Sequence, residues 1–260
     1  MTEAIHLASW NVNSLRVRLE QVLEWLQASK IDILALQETK LTDDLFPVDA
    51  FENIGFHVVF SGQKTYNGMA IASRMPIQEV VTDLEDYIDP QRRILAATIA
   101  GIRLINLYVP NGAAVGTDKY DYKLTWLSKV TSFIEKQLLD YPLVAVVGDF
   151  NIAPEDRDVY DIKTWSGGVL VSPQEREAFA KLLSIGLKDS FRQFSQAEDI
   201  FSWWDYRTAA FRGNRGLRID HILLNERLSA TCLESKIDIE PRRVERPSDH
   251  APVMVRFTKD

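Results

Sequence analysis

The chain has 260 residues, 46% of them hydrophobic and 26% charged, a net charge of −7 and one cysteine. One cysteine excludes an internal disulfide framework and a cysteine-based zinc site, and the supply of Leu, Ile and Val argues against disorder. A purely electrostatic nucleic-acid binder is usually basic, so any affinity for DNA or RNA has to come from a local positive patch beside an acidic site.

Strand-like and helix-like stretches alternate from the start. IHLASW (5–10) reads as a strand. Leu15, Leu19, Val22, Leu23 and Leu26 then fall at helical spacing behind the candidate N-caps Asn13 and Ser14. IDILALQE, MAIAS, ILAATI and IRLINLY follow as strands with turn residues between them. Leu124, Leu127, Phe133, Ile134 and Leu138 predict a helix ahead of the apolar run LVAVV (143–147). Ser172-Pro173-Gln174-Glu175 is a capping box, with Phe179, Leu182 and Leu183 as the buried face and Gly186 as the stop. RIDHILL, SKIDIE and APVMVRF complete the strands.

Several connections are too short for a crossover helix, so a doubly wound parallel sheet fits poorly. The expected fold class is α/β, with two β-sheets packed face to face and helices outside, in one domain spanning 1–260. Cys232 reads as a small core residue. MTEAIHLASW lacks a basic segment followed by a long apolar run, which argues against a signal peptide. No stretch approaches the roughly 20 apolar residues of a membrane span. A soluble cytoplasmic protein, monomeric and without a membrane partner, is the expectation.

Polar groups recur where apolar strands end. Asn11 closes the first strand, Glu38 the second and Tyr108 the strand before Pro110-Asn111. LVAVVGDFN ends in Asp149 and Asn151. Asp220 opens RIDHILL, and Asp249-His250 precede the last strand. Each has an ordinary alternative: a turn residue, a core tyrosine, a surface Glu38–Lys40 pair or a capped loop. His6, His57 and His221 read as structural or surface residues.

Convergence of these strand ends would suit metal-assisted phosphodiester cleavage, which needs charge neutralised on the phosphate, a water deprotonated and a leaving oxygen stabilised. Glu38 is a suitable first ligand for Mg²⁺ or Mn²⁺, with Asn11 or Asp249 beside it. Asp149 suits proton acceptance from the water, and Asn151, two residues on, its orientation. His250 suits a phosphate oxygen, with Asp220 setting its tautomer and charge.

The ordered set WNVNSLR, LQETK, LYVPNG, GDFN, SWWDYR, GLRID and SDHAPV resembles the exonuclease III family of apurinic/apyrimidinic (AP) endonucleases, from residue 8 to about residue 257. The resemblance implies a four-layer α/β sandwich with helices on both outer faces and a divalent-metal site at one end. It implies hydrolysis 5′ to an abasic site in double-stranded DNA, with 3′→5′ exonuclease and 3′-phosphatase activity on damaged 3′ ends. It implies Tyr108, Asp149, Asn151, Asp220 and His250 as catalytic residues, with Asn111 at the phosphate. The implied metal set is Asn11, Glu38, Asp149, Asn151, Asp249 and His250. Asn13 stands where some members have an aspartate, so one ion is expected rather than two, and Ala114 stands where some have a DNA-inserting arginine, so insertion there is not expected. Ser166-Gly167-Gly168 leaves room for DNA beside the abasic residue.

SWWDYRTAAFRGNRGLR supplies the local positive patch: Arg207, Arg212, Arg215 and Arg218 against Asp205, interleaved with aromatics. By resemblance, Trp203, Leu217 and Ile219 wall a pocket for the base-less sugar, whose missing base lowers the cost of flipping. Lys64, Lys119 and Lys123 are candidate phosphate contacts. The alternatives are another phosphoesterase of the wider superfamily (deoxyribonuclease I-like or acting on inositol phosphates) and a catalytically silent DNA-binding scaffold.

Overall fold

The structure, a computed structural model, describes residues 4–258. Its strands in chain order are β1 (Ala4–Asn11), β2 (Ile33–Gln37), β3 (His57–Ser61), β4 (Met69–Ser73), β5 (Ile77–Val81), β6 (Ile94–Ile99), β7 (Ile102–Tyr108), β8 (Val144–Asp149), β9 (Leu187–Asp189), β10 (Asp220–Asn225), β11 (Cys232–Ile237) and β12 (Val253–Thr258). The helices are α1 (Leu15–Ala28), α2 (Val48–Glu52), α3 (Asp118–Asp140), α4 (Ile162–Trp165), α5 (Pro173–Ser184) and α6 (Glu226–Ala230). None is long and apolar enough to cross a membrane.

The strands form two six-stranded sheets, ordered β11-β12-β1-β2-β4-β3 and β5-β6-β7-β8-β10-β9. Each is antiparallel except for one central parallel pair, β1–β2 in the first and β7–β8 in the second. Leu7, Ile33, Ala35, Ile71, Leu104, Ala145, Val147 and Val255 fill the space between the sheets. Val22, Leu26 and Phe51 cover the outer face of the first sheet. Trp126, Leu127, Val130, Ile134, Phe179 and Leu182 cover that of the second. The result is the expected four-layer sandwich.

The uninterrupted run in β8 now has its reason. Ala145 and Val147 face the other sheet while Val144 and Val146 face α3 and α5, so neither face meets water and no polar residue alternates in.

Local signals fared unevenly. The Ser172–Glu175 box closes α5 reciprocally, as its spacing predicts. Ser14 occupies the N-cap of α1 but its side chain makes no capping bond. The strand expected at SKIDIE begins three residues earlier, at Cys232. Cys232 itself is half-buried against the inter-sheet core. Edge strands β3 and β5 lacked a readable pattern because most of their side chains are not fully buried.

Candidate active site

Parallel and antiparallel registers bring three polar strand ends into one row. Tyr108 lies opposite Asp149 across β7–β8, and Asp149 opposite Asp220 across β8–β10. Gly148 makes this possible. Its φ is 142°, and a Cβ there would fall 1.9 Å from the Leu107 carbonyl oxygen, so only glycine lets β8 approach β7 so closely. In the facing sheet, Asn11 ends β1 opposite Gln37, with Glu38 next in the chain. The polar ends of both sheets meet on one side of the sandwich.

Asp149 and Asn151 are joined at this corner. Asn151 adopts φ 49°, turning the chain back so that its N–H donates to Asp149 Oδ1 at 2.9 Å. Its carboxamide accepts from Asn111 Nδ2 at 3.0 Å and donates to the Val109 carbonyl at 3.0 Å. Asp149 Oδ2 accepts from Asn11 Nδ2 at 2.9 Å. The same Asn11 nitrogen donates to Glu38 Oε1 at 2.9 Å, so one amide holds two carboxylates on either side of itself. Glu38 Oε2 also pairs with Lys40 at 2.9 Å.

A second chain of contacts runs through His250. Its Nδ1 lies 2.8 Å from Asp220 Oδ2, which also accepts from Ser202 Oγ at 2.7 Å. Its Nε2 lies 3.7 Å from Asp149 Oδ2. Burial alone would disfavour the imidazolium. Asp220 and Asp149 outweigh that and raise the histidine to about 10, so it stays cationic at neutral pH. Burial raises Asp149 against the pull of His250. Burial, then Glu38 and Asp149 nearby, hold the half-buried Tyr108 hydroxyl well above 10, which keeps it a proton donor. The Arg93 guanidinium sits 4.7 Å over the Tyr108 ring.

Asp249 is placed differently from the other expected ligands. Its Oδ1 accepts from Asn13 Nδ2 at 2.9 Å and its Oδ2 from Trp203 Nε1 at 3.0 Å. Its link to Glu38 is indirect: the Asn13 side-chain oxygen accepts from Lys40, which pairs with Glu38. A hard divalent cation suits the carboxylates of Glu38 and Asp149, whereas Asn11 turns its amide nitrogen to both of them and its Oδ1 to the Asn13 N–H at 2.9 Å, so as placed it bridges the acids and offers no oxygen ligand. Beside this bridge lies the buried cluster of Asp149, Asp220 and His250, whose carboxylate oxygens and imidazole nitrogens come within 4.8 Å of one another, with Asp220 Oδ1 making no hydrogen bond.

The loop after Ser202 reaches the site through backbone pairing of Trp203 with both Leu217 and His250. Trp203 is half-buried, 6.5 Å from the His250 ring and edge-on to Trp165 at 6.3 Å. Leu217 and Ile219 are 0% and 1% exposed, in a cluster with Leu170 and Val171 on which Trp165 and Trp203 pack. They form the floor beneath the tryptophans, not an accessible wall. Trp165 was missed. Its one signal is an aromatic immediately before the small run Ser166-Gly167-Gly168.

The basic patch is smaller than its sequence suggests. Arg207 is exposed but forks onto Asp205. Arg212 is exposed, and Arg215 donates back to the Thr208 carbonyl. Arg218 is not on the surface: it is buried and paired with Asp158 and Asp189, because a guanidinium inside the fold requires carboxylates. Trp204 is also buried, with its indole N–H on Asn214. Lys64 and Lys119 are exposed, but Lys123 is fully buried against Glu175 and is no phosphate contact. Ala114 is exposed. A groove of about 510 Å³ opens beside the site, with Glu38, Tyr66, Arg93, Tyr108, Asn111 and Lys119 among its lining. Tyr66 and Arg93 carried no motif of their own. His221 is structural, as expected: buried, bonded to Arg218 and to the Ile152 carbonyl at 2.9 Å.

Carboxylates bridged by an amide, a cationic histidine between two acids and a protonated tyrosine define a phosphoesterase-type site. Residues 8–250 match the Endonuclease/Exonuclease/phosphatase family. The chain is 35% identical over 262 residues to exodeoxyribonuclease III of Haemophilus influenzae, covering 96% of this chain and 98% of that protein. It is 45% identical to the 3′ phosphatase NExo from Neisseria, solved with a product DNA hairpin, at a TM-score of 0.95 over 98% of this chain and 100% of that one. An AP endonuclease from Archaeoglobus fulgidus is 38% identical at a TM-score of 0.93, over 97% and 99% of the two chains. The chain therefore belongs to the endonuclease/exonuclease/phosphatase family, within its exonuclease III and AP endonuclease branch.

Proposed function

We propose that this protein is a DNA-repair nuclease, dependent on Mg²⁺ or Mn²⁺. It hydrolyses the phosphodiester 5′ to an abasic site in double-stranded DNA and also removes nucleotides and phosphates from 3′ ends. The observation that carries this reading is the Asn11 amide, which brings Glu38 and Asp149 together while Asp149 faces His250. The relatives' names cover exodeoxyribonuclease, 3′ phosphatase and AP endonuclease.

Glu38 and Asp149, bridged by the Asn11 amide, would hold one divalent ion, which would supply charge neutralisation at the phosphate. Asp249 borders that set through Asn13, and Asn151 through its own N–H on Asp149. Asp149, raised by burial, takes the proton of the attacking water. Asn151 orients that water with an amide fixed by Asn111 and Val109. His250, kept cationic by Asp220, faces a phosphate oxygen, Tyr108 donates a hydrogen bond there, and the proton taken up by Asp149 passes to the leaving oxygen.

Arg207, Arg212 and Arg215 engage the DNA backbone. Trp203, resting on Leu217 and Ile219 and flanked by Trp165, packs on the extruded sugar. Ser166 and Gly167, exposed at the edge of this pair, add no bulk where a nucleotide would enter. The working unit is one catalytic domain, acting as a cytoplasmic monomer.

The test offers three substrates with Mg²⁺: a duplex with one abasic analogue, a duplex with a 3′-phosphate and an inositol polyphosphate. Nicking 5′ to the lesion and release of 3′-phosphate, both lost on adding EDTA, are expected. Turnover of the inositol compound alone would put the protein elsewhere in the family. DNA binding without nicking at any metal concentration would make it a scaffold.

A further inference from the structure

Lys123 lies one and a half turns into α3 with no exposure to solvent. A buried ammonium is expensive unless each donor is matched. Here three donors meet three acceptors: the Asn111 carbonyl at 3.2 Å, the Asn151 carbonyl at 2.6 Å and Glu175 Oε1. Gly112, at φ 90°, lets the loop fold down onto the lysine stem. Glu175 is committed as well. Its carboxylate accepts from the backbone N–H groups of Leu170 and Ser172, both at 3.0 Å, and from Ser172 Oγ at 2.6 Å.

Two of these partners are the backbones of the residues whose carboxamides meet at the site. Asn151 also sits at φ 49°, a left-handed turn that asparagine takes readily, and the lysine fixes the carbonyl of that turn. Apolar packing at position 123 would leave both carbonyls unpaired and the turn unsupported.

We infer that Lys123, with Glu175, is a positioning residue for the phosphoester reaction: it holds the Asn151 turn so that the carboxamide faces the reacting phosphate. It also ties that turn to the 170–172 segment, which leads back to Trp165. The inference rests on Asn151 acting in the reaction, as proposed above.

Lys123→Met keeps the stem and removes the donors. The expected result is a fall of about ten- to hundred-fold in kcat on the abasic duplex, with KM within about twofold of wild type. Rates are taken per DNA-binding-competent molecule, below the melting temperature of each variant. Lys123→Met/Glu175→Gln removes both charges and retains a residue able to cap α5; it serves if the single variant misfolds, and its kcat should stay low. The Asn151 side-chain amide resonances should also move in the variant. Wild-type kcat per competent molecule in either variant would overturn the inference, because the pair would then serve folding alone. Asn151→Ala run in parallel separates the two ideas: if it is fully active, the role of Asn151 fails first.

Discussion

Asp149 and Asp220 lie directly opposite each other across β8–β10, at 1% and 2% exposure, with His250 reaching both. Two acids in so dry a place repel unless a cation stands between them, and the raised histidine is that cation. His250→Gln should leave the acids uncompensated and lower kcat by about 10²–10⁴-fold. Single-turnover nicking of an abasic duplex measures this, and near-normal turnover would remove His250 from the chemistry.

Asp149→Asn keeps the bond from Asn11 within reach but removes the proton acceptor. Nicking should fall by at least about 10²-fold while the duplex still binds. A binding titration beside a nicking assay separates the two; equal activity would refute the role.

Of the loop arginines, Arg212 makes no ion pair among the described residues, whereas Arg207 is held by Asp205. Arg212→Ala should weaken duplex binding and reduce its salt slope by about 1, and Arg207→Ala should do less. Binding measured across a salt series decides it. An unchanged slope for Arg212→Ala would take that residue off the contact surface.

His221 predicts an acid limit to stability. Burial and the neighbouring Arg218 lower it from 6.5 to about 4. The unfolded chain therefore takes up a proton that the folded one refuses. The stability involved is present above about pH 6.5 and is lost as pH falls towards 4, by up to roughly 3 kcal/mol. Urea unfolding at pH 7 and pH 5 should show this loss shrinking in His221→Gln. Parallel behaviour of the two proteins would assign the acid sensitivity elsewhere.

Gly148→Ala places a methyl 1.9 Å from the Leu107 carbonyl at a positive φ. Little folded protein should result, whereas Gly167→Ala, with nothing within 4 Å, should fold despite its φ of 74°. Thermal melts distinguish them, and a normally folded Gly148→Ala would contradict the β7–β8 packing.

Much was legible in the order of residues because the signals are local. Apolar runs marked the strands buried on both faces, and the Ser172–Glu175 box marked the start of α5. The polar groups at strand ends were visible one by one as breaks in apolar pattern. Their partners were not. Asn11 and Asp149 are 138 residues apart, and only the register of two parallel pairs and the stacking of two sheets carry them to one hydrogen bond. For the same reason charge misled where burial decided: Arg218 and Lys123 read as surface cations, yet each is enclosed and matched by acids distant in the chain.

The chain by itself thus determined which groups are available and that strands would present them. Which acid meets which amide was settled by tertiary packing, since burial and pairing are properties of neighbours in space.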